Sequence, residues 1–362
     1  MTLQSTARRR VTLGTLAVAA MIVVTACGGN AATPAPAASD GGTATQAPAT
    51  ESTATEAPAQ PSGGPNIFVV GGKPDDPFWS KVKKGVDDQA KVVEAYGGTV
   101  TWLGPQNYDN LGPDAAKLIQ NAVAQNASGI IGPDWVPEAM DPAFQAVVAA
   151  KIPLIIYNSG GIEAAQRLGA MNYVGNDEYA AGKGGGEYFG ANGVKNVLCI
   201  NTLPGATNTE ARCQGIADGI AASGGKSTQL PLPSSQFGDT TAIAQAIKAA
   251  LMQDPTIDGA VTISAGDATA AATGIDQAGA TGKVKLGSFD FDTTGLDRIK
   301  AGTQLMAIDQ QPYLQGSLAT ALLFDYLMFG NDLPTRPVGT GPGIIDASNL
   351  DATLKGAELG AR

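Results

Sequence analysis

Eight short runs of apolar, largely β-branched residues recur along the chain from Ile67 onward. They are Ile67–Val70, Val100–Leu103, Gly129–Gly132, Pro153–Tyr157, Val197–Asn201, Ala260–Ser264, Val284–Phe289 and Gln304–Asp309. Between them apolar residues return every three or four positions. Phe78, Val82, Val86, Ala90 and Val93 make one stripe, and Ala115, Leu118, Ile119, Ala122 and Val123 another. Phe144, Val147 and Val148, then Ile243, Ile247, Ala250 and Leu251, continue the pattern. A strand apolar throughout has to be covered on both faces, and a helix with one apolar stripe can cover one of them. Their alternation predicts an α/β fold of doubly wound parallel sheets with helices on both sides. A folded body of about 300 residues is also long enough for one core to divide into two. The segments are too dissimilar to form a sequence repeat.

The N-terminus carries an address. Arg8, Arg9 and Arg10 precede an uncharged apolar stretch from Val11 to Val24, which runs into Thr25-Ala26-Cys27. A positive start, a short apolar run and small residues before a cleavage point describe a secretory signal peptide over residues 1–26. The run of about 14 residues is short of the roughly 20 that a membrane span needs. Small residues leading into Cys27 resemble the bacterial lipobox, which would make Cys27 the lipidated first residue of the mature chain. The alternative is an ordinary signal peptide with an incidental cysteine, and Arg9-Arg10 leaves twin-arginine export open. From Gly28 to Gly64 there is no aromatic or large aliphatic residue. Such a stretch cannot offset its ordering entropy by burial, so residues 27–64 are expected to be a disordered tether.

Composition excludes several chemistries. The chain has no histidine, which removes Ser-His-Asp and Cys-His catalysis and every histidine metal site. Its net charge of -10 is dispersed, where nucleic-acid binding needs concentrated Lys and Arg. No cofactor or metal is expected. Once Cys27 is set aside, Cys199 and Cys213 remain in an oxidising compartment. They are either one disulfide or two separate buried thiols.

In doubly wound sheets ligands bind beyond the carboxyl ends of the strands. Nearly every such end here carries a ring, a carboxylate or an amide. Asp75-Asp76-Pro77-Phe78-Trp79 follows the first run, Gln106-Asn107-Tyr108 the second and Asp134-Trp135 the third. Asn158, Asp267, Asp290 and Gln310 stand at later ends. Rings cover the C–H faces of polyhydroxylated molecules, and carboxylates and amides bond their hydroxyls. Asp76 could equally cap a helix that starts with Pro77, and an N-cap is also the plain reading of Asp290. Arg212, one turn into a helix, would fork onto hydroxyls or a carboxylate if it faces inward.

Two glycine clusters do not bind phosphate. Gly219 to Ser227 has the wrong spacing for a phosphate loop and ends a helix, so it reads as a C-cap and turn. Gly182-Lys183-Gly184-Gly185-Gly186 lacks the third glycine of the dinucleotide fingerprint and is expected to allow close helix packing.

Four segments in order carry a family resemblance: Asp76-Pro77-Phe78-Trp79, Tyr173-Val174-Gly175-Asn176-Asp177-Glu178-Tyr179-Ala180-Ala181-Gly182, Gly287-Ser288-Phe289-Asp290, and Ile308-Asp309-Gln310-Gln311-Pro312-Tyr313-Leu314-Gln315-Gly316. Over residues 66–362 the chain resembles the type-1 periplasmic sugar-binding proteins of ABC importers, the group of ribose- and galactose-binding proteins. The resemblance implies two lobes joined by three crossings, residues 66–158 plus 311–344 and residues 159–310 plus 345–362, closing over the ligand. It implies stacking rings at Phe78, Trp79 and Phe237, and polar contacts from Asn107, Asp134, Asp267, Asp290 and Gln310. The family's ligand arginine aligns nearer Glu210, with Arg212 two residues on, and the stretch around Asp134 carries Trp135 and one extra residue.

The expected function is therefore the binding component of an ABC importer, a non-enzyme anchored to the membrane by lipid. Its partners would be a small sugar-like ligand and a membrane permease, and it would be a monomer. A sensor presenting the same closed form to a receptor is the alternative. A glycosidase using Asp134 and Asp290 as paired carboxylates is a third class, and it needs one of them with a raised pKa.

Overall fold

The structure, a computed structural model, describes residues 63–362. The signal peptide, Cys27 and all but the last two residues of the tether lie outside the described residues.

Strands and helices alternate from the first described element. The run is β1 (Asn66–Val70), α1 (Trp79–Ala95), β2 (Thr99–Leu103), α2 (Leu111–Ala124), β3 (Gly129–Gly132), α3 (Pro137–Ala149), β4 (Leu154–Tyr157), α4 (Gly161–Leu168) and β5 (Asn172–Gly175). It continues as α5 (Glu178–Ala191), β6 (Asn196–Asn201), α6 (Thr207–Ala221), β7 (Lys226–Pro231), α7 (Thr240–Gln253), β8 (Gly259–Thr262), α8 (Ala265–Gln277), β9 (Lys285–Phe289), α9 (Thr293–Lys300) and β10 (Met306–Asp309). It closes with α10 (Pro312–Phe329), β11 (Val338–Gly339), β12 (Gly343–Ile345) and α11 (Leu350–Glu358).

Two sheets result, and their order is the same. The first runs β11-β5-β4-β3-β1-β2 and the second β12-β10-β9-β8-β6-β7. All neighbours are parallel except β10 and β12, which are antiparallel. In each lobe the direction of winding reverses beside the first strand, between β1 and β3 and between β6 and β8. That is where a doubly wound sheet opens a crevice. Ile67, Val69, Ile130, Ile131, Ile155 and Ile156 fill the first core, and Val82, Val86 and Val93 of α1 lie against it, all buried.

Four strands were not legible as apolar runs: β5, β7 and the very short β11 and β12. β5 has only Tyr173 and Val174 between Asn172 and Gly175. β7 reads Lys-Ser-Thr-Gln-Leu-Pro because it is the sheet's edge and half of it faces solvent. Overlooking β5 misplaced one boundary. The first crossing between lobes comes not at 158 but between Gly175 and Glu178, since β5 pairs with β4 in the first sheet. α4 and β5, residues 161–175, therefore belong to the first lobe. Overlooking β12 misplaced the boundary at 344 as well, since Gly343 and Ile344 pair with β10 in the second sheet and the last crossing comes between Gly339 and Gly343.

Glycines set how closely the helices approach. A Cβ added at Gly182 would clash with the Arg212 carbonyl, and one at Gly186 with that of Ile216. From the other side, Gly215 lies against the Tyr179 carbonyl and Gly219 against that of Lys183. α5 and α6 thus meet backbone to backbone, and the seam fixes the height of α6 and of Arg212 on it. Cys199 of β6 and Cys213 of α6 are joined as a disulfide, with Cα atoms 5.7 Å apart, which ties the same helix to its sheet.

Candidate functional site

The carboxyl ends of both sheets meet around one small cavity of about 50 Å³. A water needs about 10–15 Å³ on this measure, so the space is that of a few waters. A larger groove of about 550 Å³ lies beside the crossings, lined by Glu163, Tyr173, Asn176, Asp177 and Glu178 among others. The smaller cavity is the better candidate because eight of the expected site residues converge on it.

The first lobe supplies rings. Phe78 stands at the N-cap position of α1, and Trp79 is its first residue. Both line the cavity, but Trp79 is also part of the core. Its ring meets Phe78 edge-on at 5.1 Å and Trp135 edge-on at 5.5 Å. Asp76 plays both roles considered for it. Its Oδ1 accepts from the Phe78 and Trp79 N–H groups at 2.8 and 3.1 Å, and the residue also lines the cavity. Burial raises its pKa, against these bonds and the nearby Lys81.

The second lobe supplies charge and amides. Arg212 is buried and lines the cavity, so the surface alternative is excluded. Its Nε and Nη2 donate to Glu178 at 2.7 and 3.1 Å, Nη2 also to Gln310 Oε1 at 2.8 Å, and Nη1 to the Ile263 carbonyl at 2.7 Å. Four of a guanidinium's five N–H groups are thus engaged, leaving one on Nη1. Glu210 is turned away, accepting from Asn201, Gly205 and Gln229. Gln310 passes the chain on, donating from Nε2 to Asp290 Oδ2 at 2.6 Å.

Asp290 is the most constrained of these residues. It adopts φ 57°, a left-handed conformation that non-glycine residues rarely take. Its Oδ1 is buried with no hydrogen-bond partner. Burial pushes its carboxyl up to about 7, with Arg212 and Lys81 pulling down and Asp309 pushing up. Asn208, another lining residue, likewise has a buried Oδ1 without a partner. Two residues of the lining thus each hold a buried acceptor without a partner, which a donor on a bound molecule would satisfy.

Phe237 lines the cavity from the second lobe, and its ring meets Tyr108 of the first at 4.9 Å. Asp76, Phe78, Trp79, Trp135, Arg212, Phe237, Asp290 and Gln310 are thus assembled in one place. Four other expected residues are not among the lining. Asn107 is exposed, its Oδ1 taken by the Asp109 N–H in a tight turn. The buried residue of that loop is Tyr108, whose hydroxyl accepts from the Lys73 N–H and donates to Asp76. Asp134 is buried against Arg167, with Nη2 donating to its Oδ2 at 2.6 Å. Burial and Asp141 carry its carboxyl up to about 6 in spite of Arg167. Asn158 spends its amide on Gln315 at 3.1 Å. Asp267 accepts from the hydroxyls of Thr202 and Ser264 at 2.6 and 3.0 Å, and burial lifts it to about 6.

Sequence reasoning missed Tyr108, Asn208 and Ser264. Asn208 had a usable signal, because it precedes Arg212 by four residues and so shares its helix face. Among the described residues, no group of three or more His, Cys, Asp or Glu is placed to hold a metal ion. No described helix is long and apolar enough to cross a membrane.

Comparison with known proteins bears on the same body. A family model described as a periplasmic binding protein domain matches residues 67–332. A xylose/arabinose-binding protein of Sulfolobus acidocaldarius is 25% identical over 340 residues, 85% of this chain and 80% of that protein. Among solved structures, a carbohydrate transporter from Acidothermus cellulolyticus in complex with myo-inositol is 32% identical with a TM-score of 0.74, covering 83% of this chain and 100% of that one. A glucose-galactose binding protein from Geobacillus stearothermophilus, 21% identical with a TM-score of 0.69, covers 79% and 99% and bears on the fold alone. The two matched lobes and their shared cleft lead to one conclusion: the chain belongs to the periplasmic binding protein domain family, an extracytoplasmic group of solute-binding proteins.

Proposed function

We infer that this chain captures one sugar or cyclitol molecule between its lobes and hands it to the permease of an ABC importer. The observation that carries this reading is the pairing of a ring-lined wall with two lining residues, Asp290 and Asn208, that each hold a buried acceptor without a partner. Hydroxyl donors satisfy the acceptors, and the C–H faces of a small ring fit the aromatic side. The relatives named for xylose and arabinose, and the one solved with myo-inositol, support the same class of ligand.

In this reading the protein is a binder without a catalytic step. Asp134, paired with Arg167, does not line the cavity with Asp290, so the carboxylate pair considered for glycoside hydrolysis is not assembled there. The leader of residues 1–26 would direct export, and Cys27 would carry the lipid that holds a monomer at the membrane beside its permease.

Thermal unfolding of the full chain against myo-inositol, D-xylose, L-arabinose, D-allose and D-galactose tests the reading. A ligand at a thousand times its dissociation constant stabilises the native state by about 4 kcal/mol, seen as a rise of several degrees. One compound giving that rise supports the assignment. A flat response across the panel from a cooperatively unfolding protein rejects it.

A further inference from the structure

Lys81, the third residue of α1, is not among the residues lining the cavity. Its ammonium donates to the Pro77 carbonyl at 3.0 Å in its own lobe and to the Phe291 carbonyl at 2.8 Å in the other. It also lies 5.7 Å from the centroid of the Phe291 ring, within cation–π range. Phe291 is buried and follows Asp290 directly, so the bond fastens the first lobe to the backbone beside that carboxylate. Among the described residues the ion pairs each join two groups of one lobe. Lys81 instead takes its charge across the cleft.

The opposite flank is held by neutral bonds. The first residue of α6, Thr207, donates its N–H to the Trp135 carbonyl and its hydroxyl to the Asp134 carbonyl, both at 2.9 Å. Parting the lobes would break both fastenings, but only the Lys81 side loses a charge-assisted bond. Such bonds are stronger than neutral ones. A contact present in one state and absent from the other shifts the equilibrium by its own free energy.

We propose that Lys81 is a latch, a positioning residue that holds the closed form through Phe291 and so sets how long a captured molecule stays without touching it. The proposal rests on the reading of the cleft as a trap for a small polyol. The variant Lys81→Met keeps the apolar stem and removes the charge and its donors. Losing a charge-assisted bond specific to the closed state should speed release roughly ten- to a hundred-fold, with the association rate little changed. Lys81→Arg should restore slow release. Lys83→Met, on the same helix but paired with exposed Asp87, should behave as the parent protein.

The test uses the full chain with myo-inositol and D-xylose as probes, stopped-flow release, and spin-label distances between Lys117→Cys on α2 and Ala249→Cys on α7. The expected result is faster release and a smaller closed fraction in Lys81→Met, with a larger loss of unfolding temperature in the presence of probe than in its absence. Equal release rates in Lys81→Met and the parent would overturn the latch. So would an equal loss of stability with and without probe, which marks a merely structural lysine. If neither probe raises the parent's unfolding temperature, the trap reading has failed. The latch is then decided by the distances without probe, where a lower closed fraction in Lys81→Met supports it and coincident distributions refute it.

Discussion

The two lobes have the same strand order and a different balance of chemistry. The first brings Phe78, Trp79, Tyr108 and Trp135 to the cavity with one carboxylate, Asp76, and the second brings Asn208, Arg212, Asp290 and Gln310 with one ring, Phe237. Rings offer one kind of contact to any C–H face, whereas each hydroxyl-bonding group demands a partner at its own position. The first lobe is therefore suited to holding a small ring and the second to deciding which ring. The lobes also differ in support. α6, which carries Arg212 and Asn208, is pinned by a glycine seam, a disulfide and a buried ion pair. The rings of the first lobe rest on ordinary core packing.

The sharpest break in this comparison is Arg212→Met. It leaves Glu178 buried without its cation, and removing one member of a buried pair costs about 3–5 kcal/mol. Denaturant unfolding should show that loss, and Glu178→Gln in the same chain should recover much of it. Full stability in Arg212→Met would mean that the pair does not brace the second lobe.

Next in size is the disulfide. Replacing Cys199 and Cys213 by alanine reopens a short loop, worth about 3 kcal/mol in the chain-entropy model. The lowered unfolding temperature should come with weaker binding, because α6 carries site residues. Lost stability with unchanged affinity would show that the seam alone positions them.

Affinity separates the lobes more directly. Phe78→Ala should weaken every bound sugar by a similar amount, about 1–3 kcal/mol, as a ring contact would. Asp290→Asn should instead reorder the panel, since an amide can donate where the carboxylate accepts. Calorimetric titration of both variants decides, and a Phe78→Ala protein that re-ranks sugars would reverse the division of labour.

A last expected effect is on pH dependence. With its carboxyl held up to about 7, Asp290 keeps a proton in the empty fold that the unfolded chain gives up near pH 3.9. Its contribution to stability is thus fully present at low pH and is lost as pH rises toward about 7. A hydroxyl donating to Oδ1 favours the ionised form, so binding should expel the proton and affinity should fall as the solution is acidified below about 7. Proton release measured in buffers of different ionisation enthalpy checks this. Asp290→Asn should flatten the profile, and an unchanged profile would show that another group titrates.

The alternation of apolar runs and helical stripes made the α/β architecture legible, because burial on two faces leaves a strong mark on composition. It was silent where burial was partial. β7 lies at an edge and β5 has a two-residue apolar centre, so neither stood out as an apolar run, and the boundary at 158 followed from the omission of β5. Of the site, residues beside a sheet's winding reversal were legible from their position after a strand. Loop geometry was not. A tight turn spends Asn107 on its own backbone and buries Tyr108 instead, and the partner that removes Asp134 from the lining, Arg167, lies 33 positions away in sequence.

The central claim is that the cavity is built for a small ring bearing hydroxyls. Titration calorimetry of the full chain with myo-inositol, D-xylose, L-arabinose, D-allose and D-galactose, beside cyclohexanol as a ring with a single hydroxyl, tests it most directly. The account predicts saturable one-to-one binding of at least one polyol in the micromolar range or tighter, and none of cyclohexanol. Binding of cyclohexanol as tightly as any polyol, or of none of the polyols, would contradict it.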